Sequence, residues 1–251
     1  MLPFNTSLFK SKRDFDFMST EPYRSGVAEQ IPPHTLELFA RLSAKSAAGS
    51  YRENLPIAFS ELQLTIEPHV CPLLPSTQCY LSYLSTQNLS GMKVLELGSG
   101  SGALAIAAVC IGATHVDAVD ILPQAVVCTR HNAEACGVAD KIHAFESNGF
   151  SQVTDRYNLI IANVPIIHVP GVVHIHDFGL YDEGWELHDH LLANYRKHLL
   201  SGGSVLIGHV PLQSEWSFDH FESYLTRSGA NFKIAFESLQ QDLPWRLYSL
   251  S

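Results

Sequence analysis

No stretch of this chain reaches the roughly 18 consecutive apolar residues that a membrane-spanning helix requires. Its opening residues, MLPFNTSLFKSKRDFDF, have no signal-peptide core. Basic side chains are scarce: 16 Lys and Arg face 25 Asp and Glu, for a formal net charge of −9. The shortage is uneven, because residues 1–60 carry 7 basic and 6 acidic side chains whereas residues 61–251 carry 9 and 19. That balance disfavours tight, non-specific nucleic-acid binding, which needs cations against phosphates, but leaves room for a localised basic groove. The five cysteines (Cys71, Cys79, Cys110, Cys128 and Cys136) include no C-x-x-C pair. Several of them sit in apolar helical patterns, where a free thiol behaves as a small hydrophobe. Internal repeats and low-complexity tracts are also missing. The absences describe a soluble cytoplasmic protein with reduced thiols, either monomer or homodimer, and without a membrane partner. At 251 residues and 46% hydrophobic, it can bury a substantial core.

What is present is an alternation. Strands are expected near 93–97, 115–119, 141–146, 158–163 and 203–209, and helices over 75–84, 102–111, 123–136, 186–199 and 213–227. That rhythm predicts a parallel sheet with helices on both faces. Two further strand-like runs, FKIAFESL at 232–239 and WRLYSL at 245–250, predict a closing antiparallel hairpin. Residues 1–68 read as a small α+β cap, possible as a lid or substrate domain, with a helix at 32–47 and one or two short strands within 57–69. Residues 69–251 form the main domain.

The richest segment is VLELGSGSGALAIAA, Val94 to Ala108. A buried strand runs into glycines at 98, 100 and 102, and a helix of small apolar residues follows. Glycine lets the main chain approach a ligand closely, and the first amides of the helix lie unpaired at the positive end of its dipole. Such a turn, Gly98-Ser99-Gly100 to Gly102, cradles nucleotide-like ligands. Asp120 ends the next strand, 24 residues after Glu96, where an acid accepts hydrogen bonds from ribose hydroxyls. A dinucleotide would also fit, since Gly98 to Ala103 matches G-x-G-x-x-[GA], so a nicotinamide oxidoreductase stays open on these residues.

NLIIANVPI, Asn158 to Ile166, separates the readings. With it the chain resembles class I S-adenosylmethionine-dependent methyltransferases. Within them it is similar to the group carrying D-x-x-x-x-N-P-P-Y, which includes release-factor and ribosomal-protein glutamine methyltransferases and N6-adenine methyltransferases. The resemblance covers about residues 70–250. PSTQ at 75–78 is similar to the P-x-T-E helix start, and Asp120, Pro123, Ala125 and Asn132 to the second-strand motif. The resemblance implies a Rossmann-like seven-stranded sheet whose last strand returns by a hairpin, with S-adenosylmethionine as cofactor and S-adenosylhomocysteine as product. It implies that Glu96 meets the methionine amino group and that the backbone of Gly98, Ser99, Gly100 and Gly102 passes beneath the methionine. Asp120 would bind the ribose, Ile121 would cover the adenine, and Asn148 with Gly149 would meet its amino group. Asn163 and the Val164 carbonyl, followed by Pro165, would hold a planar NH2 group so that its lone pair faces the methyl.

The chain departs from that pattern at Asn158 (Asp in the family), Val164 (Pro) and Ile166 (Tyr), and PSTQ lacks the Arg and final Glu of the glutamine enzymes. These changes argue against adenine and against release-factor glutamine. The expected acceptor is an amide or amino nitrogen of a protein side chain or small metabolite; a nucleic-acid base and a catalytically silent cofactor-binding subunit are the alternatives. Acceptor contacts are expected from Ile166, His168, His174, His176, Tyr181 and Trp185. The histidines between 168 and 190 form a polar substrate loop and a solvated helix face, with one of them a candidate general base and no metal site.

Overall fold

The computed structural model describes residues 41, 44–45, 48–57, 60–166, 182, 185–211, 217–240 and 242–251. Strands β1 (Tyr51–Ile57) and β2 (Ser60–Ile66) pair as an antiparallel hairpin. Helix α1 (Pro75–Leu84) leads into β3 (Lys93–Leu97), α2 (Ala103–Cys110), β4 (His115–Asp120), α3 (Pro123–Ala135), β5 (Ile142–Glu146) and β6 (Tyr157–Ala162). Helix α4 (Glu186–Asn194) and a 3-10 turn (Tyr195–His198) precede β7 (Leu199–His209), and α5 (Phe218–Arg227) precedes β8 (Phe232–Gln240) and β9 (Leu243–Leu250).

The seven-stranded sheet has the order β5-β4-β3-β6-β7-β9-β8. β3 to β7 are parallel, and β9 runs antiparallel between β7 and β8. The α/β class and the C-terminal hairpin therefore follow the sequence expectation. Strand order reverses between β4 and β6, on either side of β3, and open parallel sheets bind ligands at the carboxyl ends of strands flanking such a point.

β3 is buried at Val94, Leu95, Glu96 and Leu97 because helices cover both faces of the sheet. Every residue of α2 from Ala103 to Val109 is buried, and its small side chains let the helix lie close to the strands. One core layer joins α2, α1 and the hairpin residues Leu55, Leu64 and Ile66; the other joins Leu95, Ile160 and Ile207 to Phe221 and Leu225 of α5.

Three expectations shift. The hairpin begins at Tyr51, not 57, because Pro56 and the polar Arg52, Glu53 and Asn54 mask a strand whose fully buried residue is Leu55. The helix at 186–199 ends at Asn194, and β7 starts at Leu199 rather than 203. Gly203 permits this: a Cβ there would lie 2.8 Å from the Tyr157 carbonyl oxygen, so the extended backbone can hug β6. Within the helix expected at 213–227, α5 begins at Phe218, capped by the Ser217 hydroxyl, which accepts from the His220 amide at 3.2 Å. The helix expected at 32–47 lies almost wholly outside the described residues. Among the described residues, no helix is long and apolar enough to cross a membrane.

Candidate functional site

The glycine turn closes between the ends of β3 and β4. The amides of Gly98 and Ser99 both donate to the Val119 carbonyl, at 2.8 and 2.9 Å. Gly98, Gly100 and Gly102 have φ of +71°, +53° and +78°, the left-handed region in which a side chain is strained. Their surroundings differ. A Cβ on Gly102 would meet Thr129 Cγ2 at 2.8 Å, whereas one on Gly98 would meet nothing within 4 Å among the described residues. Gly102 is thus a packing glycine against α3, and Gly98 faces open space.

Helix α3 holds the turn from behind. Thr129 Oγ1 donates to the Gly100 carbonyl at 3.1 Å and lies 3.0 Å from Ser99 Oγ. Asn132 Nδ2 donates to the carbonyls of Ser101 and Thr65, and Asn132 Oδ1 accepts from the Thr65 amide at 2.8 Å. One buried amide therefore joins the turn to the β1–β2 hairpin.

Two carboxylates flank the turn. Glu96 is 3% exposed, and its Oε2 accepts from the Ala105 amide at 2.9 Å, so it caps the start of α2. Burial raises its pKa to about 8, with the nearby Asp120 charge adding to the rise and the Ala105 and Leu104 amides opposing it. Asp120 accepts from the Gly100 amide through Oδ2 and from the Leu122 amide through Oδ1, both at 2.9 Å. Burial raises its pKa as well. The Ile121 amide also hydrogen-bonds to the carboxylate, which keeps acceptor capacity for a further donor. Beside Asp120, Ile121 is 44% exposed, an aliphatic surface left uncovered at the rim.

Asn148 is exposed in the turn after β5, with Gly149 at φ +53°. A Cβ on Gly149 would meet His190 Cδ2 at 2.7 Å, and His190 Nε2 accepts from the Phe150 amide at 3.4 Å. Asn163 and Pro165 follow β6 half-buried, and Val164 is buried in the core layer that includes Ile160 and Ile207. β6 pairs directly with β3, placing Ala162 beside Leu97. Glu96, Gly98, Ser99, Gly100, Asp120, Ile121 and Asn163 consequently share the carboxyl rim of adjacent strands. Ile166 packs against the core layer of α1 and α2.

His168, His174, His176 and Tyr181 lie outside the described residues. Trp185 sits against α5, with its ring centroid 4.5 Å from Tyr224 and 5.8 Å from Phe221. His188 belongs to no solvated face: it is fully buried, and its Nδ1 lies 2.6 Å from Asp182 Oδ2. The Asp182 carboxyl is held below its ordinary pKa by the His188 ring, which outweighs the effect of burial. Asp182 also accepts from the Leu187 and His188 amides, making the pair a brace for the first turn of α4. Among the described residues no cluster of His, Cys, Asp and Glu could hold a metal ion.

Sequence reasoning missed Tyr80. Fully buried on α1, its hydroxyl donates to the Ala162 carbonyl at 2.7 Å, one residue before Asn163, and receives the Gly208 amide of β7. A Cβ on Gly208 would lie 3.0 Å from that oxygen, so glycine makes room for the phenol between the two strand ends. The clue was a tyrosine among the apolar positions of a buried helix, where its OH must find a partner.

Residues 74–171 match the family model described as ribosomal protein L11 methyltransferase (PrmA). Similar sequences include the ribosomal protein L11 methyltransferases of Vibrio parahaemolyticus, 46% identical over 28% of this chain and 24% of that protein, and of Photobacterium profundum, 42% identical over 36% and 30%. The matched segment spans less than a third of either relative's length. Among solved structures, ribosomal protein L11 methylase from Lactobacillus delbrueckii subsp. bulgaricus superimposes with a TM-score of 0.57 at 22% identity, covering 74% of this chain and 84% of that one. The 16S rRNA N2 G1207 methyltransferase of T. thermophilus, in complex with AdoMet and guanosine, gives 0.62 at 20% identity, covering 81% and 51%. The chain is built on the class I S-adenosylmethionine-dependent methyltransferase fold.

Proposed function

We propose that this protein transfers a methyl group from S-adenosylmethionine to an amide or amino nitrogen of a protein side chain. Residues 1–68 would serve as a cap over a methyltransferase domain at 69–251. The observation that carries the reading is the open space at Gly98 on the same strand rim as Asp120, Ile121 and Asn163. A protein acceptor, ahead of a small metabolite, is favoured by the name of the relatives matched over residues 74–171.

When bound, S-adenosylmethionine supplies the electrophilic methyl. Glu96 would receive the methionine ammonium and Asp120 the ribose hydroxyls, while Ile121 would cover one face of the adenine, with Asn148 and Gly149 at its amino group. The side-chain oxygen of Asn163 and the Val164 carbonyl accept the two N–H bonds of the acceptor, which turns its lone pair toward the methyl; Pro165 restricts the backbone that follows. Rate enhancement then comes from alignment rather than from a metal or a covalent intermediate. Acceptor contacts are assigned to Ile166 and to the segment containing His168, His174, His176 and Tyr181. A planar amino group on a nucleic-acid base is the second reading, supported by the likeness to an rRNA guanine N2 methyltransferase; the missing aromatic at Ile166 weakens it.

The test is methyl incorporation from labelled S-adenosylmethionine into recombinant ribosomal protein L11, with S-adenosylhomocysteine affinity measured calorimetrically in parallel. Asn163→Ala should cut transfer by about 100-fold while affinity changes little. Unchanged transfer would remove Asn163 from the reacting centre, and tight binding of NAD(H) in place of S-adenosylhomocysteine would overturn the reading.

A further inference from the structure

The parallel strands give the sheet two opposite rims, and its charges are sorted between them. Residues 61–251 contain nine Lys and Arg. Two are engaged away from the amino rim: Arg130 donates twice to the Ala144 carbonyl, and Arg246 pairs with Glu222 and Glu237. Six of the other seven lie at the amino ends of the strands, opposite the glycine turn, and Lys233, near the start of the edge strand β8, is level with Glu96 by strand register. Lys93 opens β3, while Lys141 and Arg156 immediately precede β5 and β6. Arg196 and Lys197 lie in the turn before β7; Arg227 ends α5 and Lys233 is the second residue of β8. Every one but Lys93 is exposed.

Among the described residues, opposing negative charge there is limited. Asp155 is paired with Lys93, and Asp140 and Glu134 are exposed. The buried Asp117 accepts from Tyr157 at 2.7 Å and lies within 3.1 Å of ring nitrogens of His115 and His143. The loop between α1 and β3, residues 85–92, and that between α2 and β4, residues 111–114, contain no charged residue.

We propose that this amino rim is a docking surface for the phosphate backbone of structured RNA. From β5 to β8 there are six strand-to-strand steps. At about 4.8 Å each they span about 29 Å, long enough to meet several successive phosphates of one duplex strand. Cations distributed strand by strand along an edge match a linear polyanion. A lipid surface needs an apolar face beside its cations, and the exposed aliphatics here, Leu200 and Ile234, are isolated on separate strands. The rim lies at the far end of the strands from the cofactor turn, so both can be occupied together. The inference does not depend on methyl transfer.

The experiment is fluorescence anisotropy of a labelled 20-base-pair RNA duplex with the full chain, with and without S-adenosylhomocysteine. Engaging four or five phosphates predicts an affinity loss of about 150- to 500-fold for a fourfold rise in salt. Lys141→Glu with Arg156→Glu should weaken binding at least about tenfold. Glu186→Lys, on the opposite rim, should not reproduce the wild-type salt slope in that double variant. S-adenosylhomocysteine should shift RNA affinity less than twofold, and its own binding reports separately on the cofactor reading. Absence of RNA binding at low salt, indifference to the rim reversals, or binding to anionic vesicles but not to RNA would each overturn the proposal.

Discussion

Glu96 sets two demands against each other, and replacing it with Gln exposes both. In the unfolded chain its carboxyl loses a proton near the ordinary 4.5, whereas the native carboxyl keeps it up to about 8. Between those values the native state binds the extra proton, so this residue's contribution to stability falls as pH rises from about 4.5 to about 8. At 1.36 kcal/mol per pH unit the full cost of ionising it in place is about 5 kcal/mol. Gln keeps an oxygen for the Ala105 amide but has no charge to bury. Glu96→Gln should therefore melt close to wild type at pH 5 and above it at pH 8.5, by about 10–20 °C for a chain of this size. The same variant should bind S-adenosylhomocysteine more weakly, because an ammonium near a neutral amide gains less than near a carboxylate. For the wild type, binding that ionises Glu96 should release a proton at pH 7, visible as calorimetric enthalpies that differ between buffers. A melting difference that stays constant from pH 5 to pH 8.5 would refute the reasoning.

The two ends of the glycine turn should respond differently to a methyl group. Gly102→Ala drives a Cβ into Thr129 and should lower stability by about 1–3 kcal/mol by denaturant titration. Gly98→Ala meets open space and should cost about 1 kcal/mol of backbone strain while reducing S-adenosylhomocysteine affinity, since its methyl would occupy the ligand's side of the turn. Tyr80→Phe leaves the Ala162 carbonyl and the Gly208 amide without their bridge and should destabilise by about 1–3 kcal/mol. At the foot of the sheet, burial alone would raise the Asp117 pKa, but the hydrogen bonds from Tyr157, His143 and His115 outweigh it and the value is lowered. That stabilisation is present above the unfolded carboxyl pKa and disappears as pH falls through the depressed native one. Asp117→Asn should accordingly flatten the acid side of the stability curve in thermal melts.

The parallel core was legible because its strands are apolar runs bounded by glycine or proline, as in KVLELG and YNLIIANVP, and burial on both faces leaves such runs little alternative. β1 was obscured because Tyr51 to Pro56 alternates around a single fully buried leucine and carries polar residues on its outer face. The turn and its two acids were visible as types at a spacing. What spacing cannot reveal is a partner contributed from far along the chain. Tyr80 meets Ala162 across 82 positions and Asn132 meets Thr65 across 67. His188 reads as polar in sequence, and its burial follows from Asp182, Trp185 and Phe221 closing around it.

Asn132 has one more consequence. Its single side chain takes the Thr65 amide and gives protons to Thr65 and Ser101, so the hairpin cannot shift without disturbing the glycine turn. Coupling of this kind is reciprocal: whatever steadies the turn steadies the hairpin to the same degree in free energy. The Thr65 amide proton thus becomes a reporter, and its rate of exchange with deuterated solvent should slow when the cofactor binds, although its own bond is to Asn132. In this molecule occupancy of the pocket can be read from a strand that supplies none of its ligands.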